Sequence, residues 1–392
     1  HKSSPEDEEA GGIENDVAAE DDYSGEEDDS EDSMPVTLGF VEKAEKPWLL
    51  LRQYFPSKAG GAPAWLNPLD LPSGKSSLCD FCGKPLQFLL QVYAPLSSES
   101  AFHRTVFIFM CPSMACLLRD QHEQWKRYPE IPLRSVKVFR CQLPRVNPFY
   151  SEEGPDENGT QEPMTPGATL CKWCGTWKGD KICSGCRTAR YCSSIHQTAH
   201  WRSHKSSHKV LCRQKPETSS ARESESAAAS NTLWPEYALA IDEEPELEQP
   251  SNPDGSLVLS DLKSHVDESM EMMKMQRNNG SKSWASFQER VSLAPDQVLR
   301  YCSSQAKPLW PGSGGQPSKY DIPNCSHCGG PRRFEFQVLP QLLYFFHVEE
   351  DDAADWSTIA VYTCQSSCEV GPTLGYKEEF GWVQLDSSSL SY

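Results

Sequence analysis

No apolar run in this chain approaches the ~18 to 20 residues of a membrane-spanning helix, so no membrane is expected among its partners. Positive charge is also short: 37 Lys and Arg stand against 56 Asp and Glu, a net of −19. A chain of that sign is poorly suited to gripping phosphate backbones, and direct nucleic-acid binding is not expected. Catalytic signatures are missing too. There is no H-E-x-x-H and no G-x-S-x-G, and Pro311-Gly-Ser-Gly-Gly lacks the Lys-Ser/Thr ending of a phosphate loop and reads as a turn. Acidic residues crowd into tracts that no fold would hold still, where paired acid and base positions cannot be fixed. The expectation is a protein that binds and does not catalyse.

Cysteine is abundant, with 16 residues. There is no signal-peptide pattern, and half of the cysteines fall in C-x-x-C pairs, which favours zinc in a reducing compartment over a disulfide framework. The string Cys79-Asp-Phe-Cys82-Gly-Lys-Pro85-Leu-Gln-Phe88-Leu-Leu-Gln91-Val92 returns as Cys325-Ser-His-Cys328-Gly-Gly-Pro331-Arg-Arg-Phe334-Glu-Phe-Gln337-Val338. The shared frame is C-x-x-C-G-x-P-x-x-F-x-x-Q-V. Each copy leads to an apolar run and a second cysteine pair, Cys111 with Cys116 and Cys364 with Cys368. Upstream, Gly60-Gly61-Ala-Pro63 and Asp70-Leu-Pro72 echo Gly314-Gly315-Gln-Pro317 and Asp321-Ile-Pro323, so a whole unit was doubled. Cys79, Cys82, Cys111 and Cys116 form one possible four-thiolate zinc site, and Cys325, Cys328, Cys364 and Cys368 another; the alternative is buried thiols packed as small hydrophobes. Cys141 and Cys302 fall outside the frame and read as ordinary buried thiols. His327 has Phe81 as its counterpart and is not expected to be a ligand.

Between the copies lies C171-x2-C174-x8-C183-x2-C186-x5-C192-x3-H196, followed by His200, His204, His208 and Cys212. These donors suffice for two closed tetrahedral zinc sites, which leave no position for water and are therefore structural. About 42 residues are too few for a self-sufficient core, so metal binding would supply the folding energy. Tyr191-Cys192-Ser193 followed by His196-Gln197, Trp201 and a His-Lys pair resembles the MYND zinc finger. That resemblance implies two interleaved zinc ions, one held by Cys171, Cys174, Cys192 and His196, the other by Cys183, Cys186 and two donors of the tail. His204 with His208 fits one spacing, and His208-Lys-Val-Leu-Cys212 reproduces the usual ending after a four-residue slip; the softer thiolate favours Cys212. His200 is expected at the surface. Such fingers generally bind proline-containing peptides. No methyltransferase segment accompanies this one.

The remainder has a family likeness of its own. Leu38-Gly39-Phe40-Val41, the Cys79 knuckle, the central finger, Gln297-Val-Leu-Arg-Tyr301, Pro308-Leu-Trp-Pro, Phe334-Glu-Phe-Gln-Val-Leu-Pro-Gln-Leu-Leu and Ala360-Val-Tyr-Thr-Cys together resemble the programmed cell death protein 2 family. The resemblance implies a dedicated chaperone that captures one newly made, basic small-subunit ribosomal protein, the counterpart of bacterial S-five, in support of 40S subunit biogenesis. Acidic charge would suit such a client, and edge strands could take it up by β-augmentation. Trp65, Trp310, Tyr320 and Trp356 are candidate anchors, with core packing the alternative for each. The competing reading is a nuclear adaptor or corepressor that works through the finger. Residence is expected to be cytoplasmic and nuclear.

The expected fold is mostly β with some α, its duplicated zinc-knuckle modules packing as pseudo-symmetric halves, with the finger projecting from their connection. Residues 1–33 hold fifteen Asp or Glu against one Lys and are expected to be disordered. The N-terminal β-rich module covers 34–150, a linker 151–168, the finger 169–213, a mostly disordered linker with a possible helix 214–284, and the C-terminal β-rich module 285–392. Runs such as Phe88-Leu-Leu-Gln-Val-Tyr, Val106-Phe-Ile-Phe-Met, Val136-Lys-Val-Phe-Arg, Gln341-Leu-Leu-Tyr-Phe-Phe and Gly381-Trp-Val-Gln-Leu read as strands.

Overall fold

Alternation along the strands decides the architecture. In β4 (His103–Met110), Val106, Ile108 and Met110 join one buried cluster, while Phe107 and Phe109 join another on the opposite face. The same split recurs in β11 (Thr358–Cys364), where Ile359 and Val361 go inward, and Ala360 and Tyr362 outward. Burial on both faces means that structure packs against each side of the sheet, and here one of those sides is the interior of a closed barrel. The structure, a computed structural model, describes residues 36–124, 133–156, 158–160, 162–203, 233–245, 282–302, 306–312, 315–348, 354–369 and 374–385. The acidic tract 1–33 and most of the 214–284 linker lie outside the described residues.

Ten strands close a barrel. Besides β4 and β11 these are β1 (Val36–Glu42), β2 (Lys58–Ala59), β3 (Gln87–Tyr93), β5 (Val136–Leu143), β8 (Tyr237–Glu243), β9 (Gln297–Cys302), β10 (Arg332–Val338) and β12 (Lys377–Gln384). Their order around the ring is β1-β8-β2-β3-β4-β5-β12-β11-β10-β9. Both halves of the chain therefore share one continuous antiparallel sheet, joined at β5 and β12, where Lys377 faces Arg140, and again at β1 and β9, where Gly39 faces Leu299. The two halves were expected to bury matching faces against each other; the observed join is edge to edge. The frame glutamines do equivalent work. Gln91 Nε2 donates to Pro56 O at 3.0 Å, and Gln337 Nε2 donates to Leu309 O at 2.9 Å, each pinning its strand to the segment before the knuckle. Register shifts fall at Leu89 and at Glu335, the same position of the repeat.

Three expectations need correction. The linker 214–284 contains β8, which pairs along β1 from Thr37–Glu243 to Glu42–Ala238 and closes the ring through β2. Trp234 stacks on Phe346 at 5.1 Å, and Lys58 forms an ion pair with Glu236, anchoring the strand's entry. The run at 341–346 is no strand. It forms α4 (Gln341–Phe345), with Leu342 and Phe346 buried one turn apart. Pro340 stands at its N-cap. Ring closure also removes the free sheet edges that β-augmentation requires. Two further helices are α1 (Met114–Gln124), whose Leu117 joins the same buried cluster as Val106 and Ile108, and α3 (Lys282–Ser292), whose Phe287 and Val291 pack with Leu339. Among the described residues, no helix is long and apolar enough to cross a membrane.

Candidate metal centres

Each C-x-x-C pair sits on the same tight turn. The fourth residue after the first cysteine returns its N–H to that cysteine's carbonyl at 2.8 Å: Gly83 to Cys79, Gly175 to Cys171, Arg187 to Cys183, and Gly329 to Cys325. That residue has φ of 69°, 62°, 60° and 74° in turn, a conformation natural to glycine and strained in Arg187. The turn aims both sulfurs at one point. Here lies the physical reason for glycine after the second cysteine in three of the four pairs.

Three groups of four donors converge within 4.8 Å: Cys79, Cys82, Cys111 and Cys116; Cys171, Cys174, Cys192 and His196; Cys325, Cys328, Cys364 and Cys368. Ligands about 2.3 Å from a tetrahedral zinc stand about 3.8 Å from one another. The observed sulfur separations are 3.7 Å for Cys82–Cys111, 3.9 Å for Cys174–Cys192, 3.7 Å for Cys325–Cys368 and 3.6 Å for Cys328–Cys364. His196 Nδ1 lies 3.7 Å from Cys171 Sγ and 3.2 Å from Cys192 Sγ. A disulfide needs about 2.05 Å, so these are thiol clusters with the dimensions of a metal cage. The chemistry agrees. The hydrogen bond with Cys111 draws Cys79 down to about 5, and burial pushes Cys116 up to about 11. Burial acts to raise Cys364, but hydrogen bonds led by Ser366 bring it down to about 6. Sulfurs packed this closely resist ionising together, and a soft divalent cation between them would relieve that.

The chain brings the ligands together from different elements. In each barrel knuckle, the first pair precedes a strand, β3 or β10, and the second follows its partner, β4 or β11. Metal there would tie the two ends of a hairpin. Cys116 enters from the first turn of α1, and Arg140 donates to the Cys368 carbonyl at 3.2 Å. Cys141 and Cys302 are buried outside the clusters, and His327 is exposed.

In the finger, β6 (Lys181–Ile182) and β7 (Arg190–Tyr191) form a two-stranded ribbon ahead of α2 (Ser194–Ser203), which carries His196. Cys183 is buried and Cys186 half-buried on the ribbon's turn. Their expected tail partners His204, His208 and Cys212 lie outside the described residues. His200 is not at the surface. It is buried, with Nδ1 2.7 Å from the Tyr191 hydroxyl and its ring against Trp173.

Nor does the finger project. Trp177 is 1 % exposed and its ring lies 4.3 Å from that of Phe109. Its Nε1 donates to Leu86 O at 2.7 Å, and Trp65 Nε1 donates back to Thr176 O at 2.9 Å. No signal of spacing marks Trp177 as a docking residue; a bulky aromatic three places after a ligand cysteine is the nearest hint. Trp65 and Trp356 are buried and cannot anchor a partner, whereas Tyr320 is 74 % exposed.

Three stretches of the chain match known families. Residues 35–157 match the programmed cell death protein 2 N-terminal domain, 281–385 its C-terminal putative domain, and 171–212 the MYND finger. The chain is 38 % identical to bovine (Bos taurus) programmed cell death protein 2 over 91 % of its own length and 98 % of the relative's. It is 26 % identical to human (Homo sapiens) programmed cell death protein 2-like, over 86 % of this chain and 92 % of that protein. A segment covering 27 % of the chain is 32 % identical to 29 % of the fission yeast (Schizosaccharomyces pombe) probable 20S rRNA accumulation protein 4. No solved structure matches.

Proposed function

From its place in the programmed cell death protein 2 family, to which this chain belongs, we propose that it is a non-catalytic chaperone in ribosome biogenesis. Its client would be a newly made, basic small-subunit ribosomal protein, the counterpart of bacterial S-five, captured in the cytoplasm or nucleus on the way to the 40S subunit. The observation that carries this reading is the kinship with a fission yeast protein named for 20S rRNA accumulation. Charge supports it: at −19 the chain complements a strongly basic client and screens it before assembly. With the sheet closed, capture falls to the barrel's outer surface and loops.

In the same reading the four C-x-x-C turns hold four zinc ions, two in the finger and one in each barrel knuckle, all structural. The two knuckle halves are the products of a duplication whose copies now meet about the β5–β12 join. A finger-led adaptor for proline-containing peptides is the weaker alternative, because Trp177 is already engaged with the barrel.

Native purification of the tagged chain, with mass spectrometry of stoichiometric partners and zinc counted on the same sample, tests both parts. One basic small-subunit ribosomal protein at equal stoichiometry, with about four zinc ions, is the expected result. A spread of proline-rich nuclear factors with about two zinc ions would overturn it.

A further inference from the structure

The turn that closes the finger's first knuckle is also the element that docks it. Gly175 and Trp177 complete the loop around Cys171, the first donating to the Cys171 carbonyl and the second accepting from the Cys171 N–H, both at 2.8 Å. Thr176, between them, accepts the Trp65 indole. On the barrel side, Trp65 stacks on Phe107 and Phe109 at 5.3 Å and meets Tyr376 edge-on at 5.0 Å. Leu86, which accepts the Trp177 indole, lies four residues beyond Cys82 and donates to Ser77 O, so the dock also braces the first barrel knuckle.

We propose that the finger is a metal-dependent cover: with Cys171, Cys174, Cys192 and His196 loaded, Trp177 seals the aromatic outer face of β3, β4 and β5, and loss of the metal releases it. The ribbon and α2 are too short to hold residues 175–177 in place without the ligand turn. Release bares Trp65, Phe107 and Phe109 and loosens the Cys79 knuckle through Leu86. The finger's metal state thereby reaches into the barrel. The inference rests on the finger metal proposed above and extends it to control of a surface that the folded, loaded chain hides.

Hydrogen exchange on the full chain tests it, comparing wild type before and after chelation with Cys174→Ser and Trp177→Ala, zinc being counted on every sample. In Cys174→Ser, emptying the finger should speed exchange across 60–68 and 86–93 by at least about tenfold, while 297–302 and 358–364 keep their protection; chelation, which also strips the barrel knuckles, should add losses at 358–364, the strand that ends in Cys364. Trp177→Ala should give the same local loss with the wild-type zinc count. Unchanged protection of 60–68 and 86–93 in Trp177→Ala, or in a zinc-depleted finger, overturns the cover. If Cys174→Ser also loses 358–364, the local response of Trp177→Ala decides alone, and a global response there overturns the proposal as well. A wild-type zinc count no higher than that of Cys174→Ser sinks the metal reading itself, whereas metal that leaves without release sinks only the cover.

Discussion

Replacing Glu335 with Gln should destabilise the barrel by about 3 to 5 kcal/mol, and replacing Arg104 and Glu335 together with Met and Leu should restore most of that. The two side chains are 3 % and 7 % exposed and pair in fork geometry, at 2.6 Å and 2.7 Å, from β4 to β10 across the ring. Thr363 and Tyr301 also donate to the carboxylate. Burial acts to raise the Glu335 pKa, but the Arg104 guanidinium outweighs it and leaves the carboxyl below its usual range. The pair's contribution is therefore present at neutral pH and fades as pH falls below the ordinary carboxylate range. Removing only the acid strands a guanidinium whose Nε already lacks an acceptor. Removing both is another matter, because desolvation of two ions nearly offsets their attraction. The repeat supplies the precedent: at the equivalent bulge of β3 stands Leu89, fully buried and with no ion to match. Chemical denaturation midpoints of Arg104→Met, Glu335→Leu and the double variant at pH 7, with zinc held constant, give the cycle, whose coupling should be about 3 kcal/mol. A Glu335→Gln loss under about 1 kcal/mol, or a double variant as weak as the sum of the singles, would refute the reasoning.

Arg187 holds the left-handed position that glycine fills in the other three knuckles, so Arg187→Gly should stabilise the finger by about 1 kcal/mol and slow chelator-driven zinc release; faster release counts against the turn argument. A Cβ on Gly60, at φ +63°, would lie 1.9 Å from Pro235 O, so Gly60→Ala should part β2 from β8, and β8 amides should lose exchange protection before those of β4. His103 is held down to about 4 by burial, aided by Arg145. Below about pH 6.5 the unfolded chain takes a proton that the folded chain refuses until about pH 4, so stability declines across that window; denaturation midpoints of His103→Phe should lose this part of the slope.

Spacing made the knuckles legible because a tetrahedral ion imposes its geometry on a few neighbouring residues. Cys79 and Cys82 are three apart, Gly83 must turn left-handed, and the partner pair must end the opposing strand; each condition is local and visible. The frame glutamine was visible as a repeat but not as a hydrogen bond, since its acceptors, Pro56 and Leu309, lie in segments with no pattern of their own. What stayed hidden depends on distant partners. β8 is a run of alternating small and apolar residues in polar surroundings, and only β1 and β2 make it a strand. Gln341–Phe345 carries strand-like residues, yet burying Leu342 and Phe346 together demands a helical turn. The docked finger and the buried His200 were missed for different reasons: the dock depends on barrel residues such as Trp65 and Phe109, whereas His200 is buried by Trp173 and Tyr191, which are remote in the finger's own sequence. The ring itself answers why two knuckle modules occur in one chain. Neither half closes a sheet by itself, since β3-β4-β5 ends at β12 on one side and needs β2 and β8 on the other. A chain carrying one copy would expose both edges, and duplication supplies the missing strands with the same metal-tied hairpin.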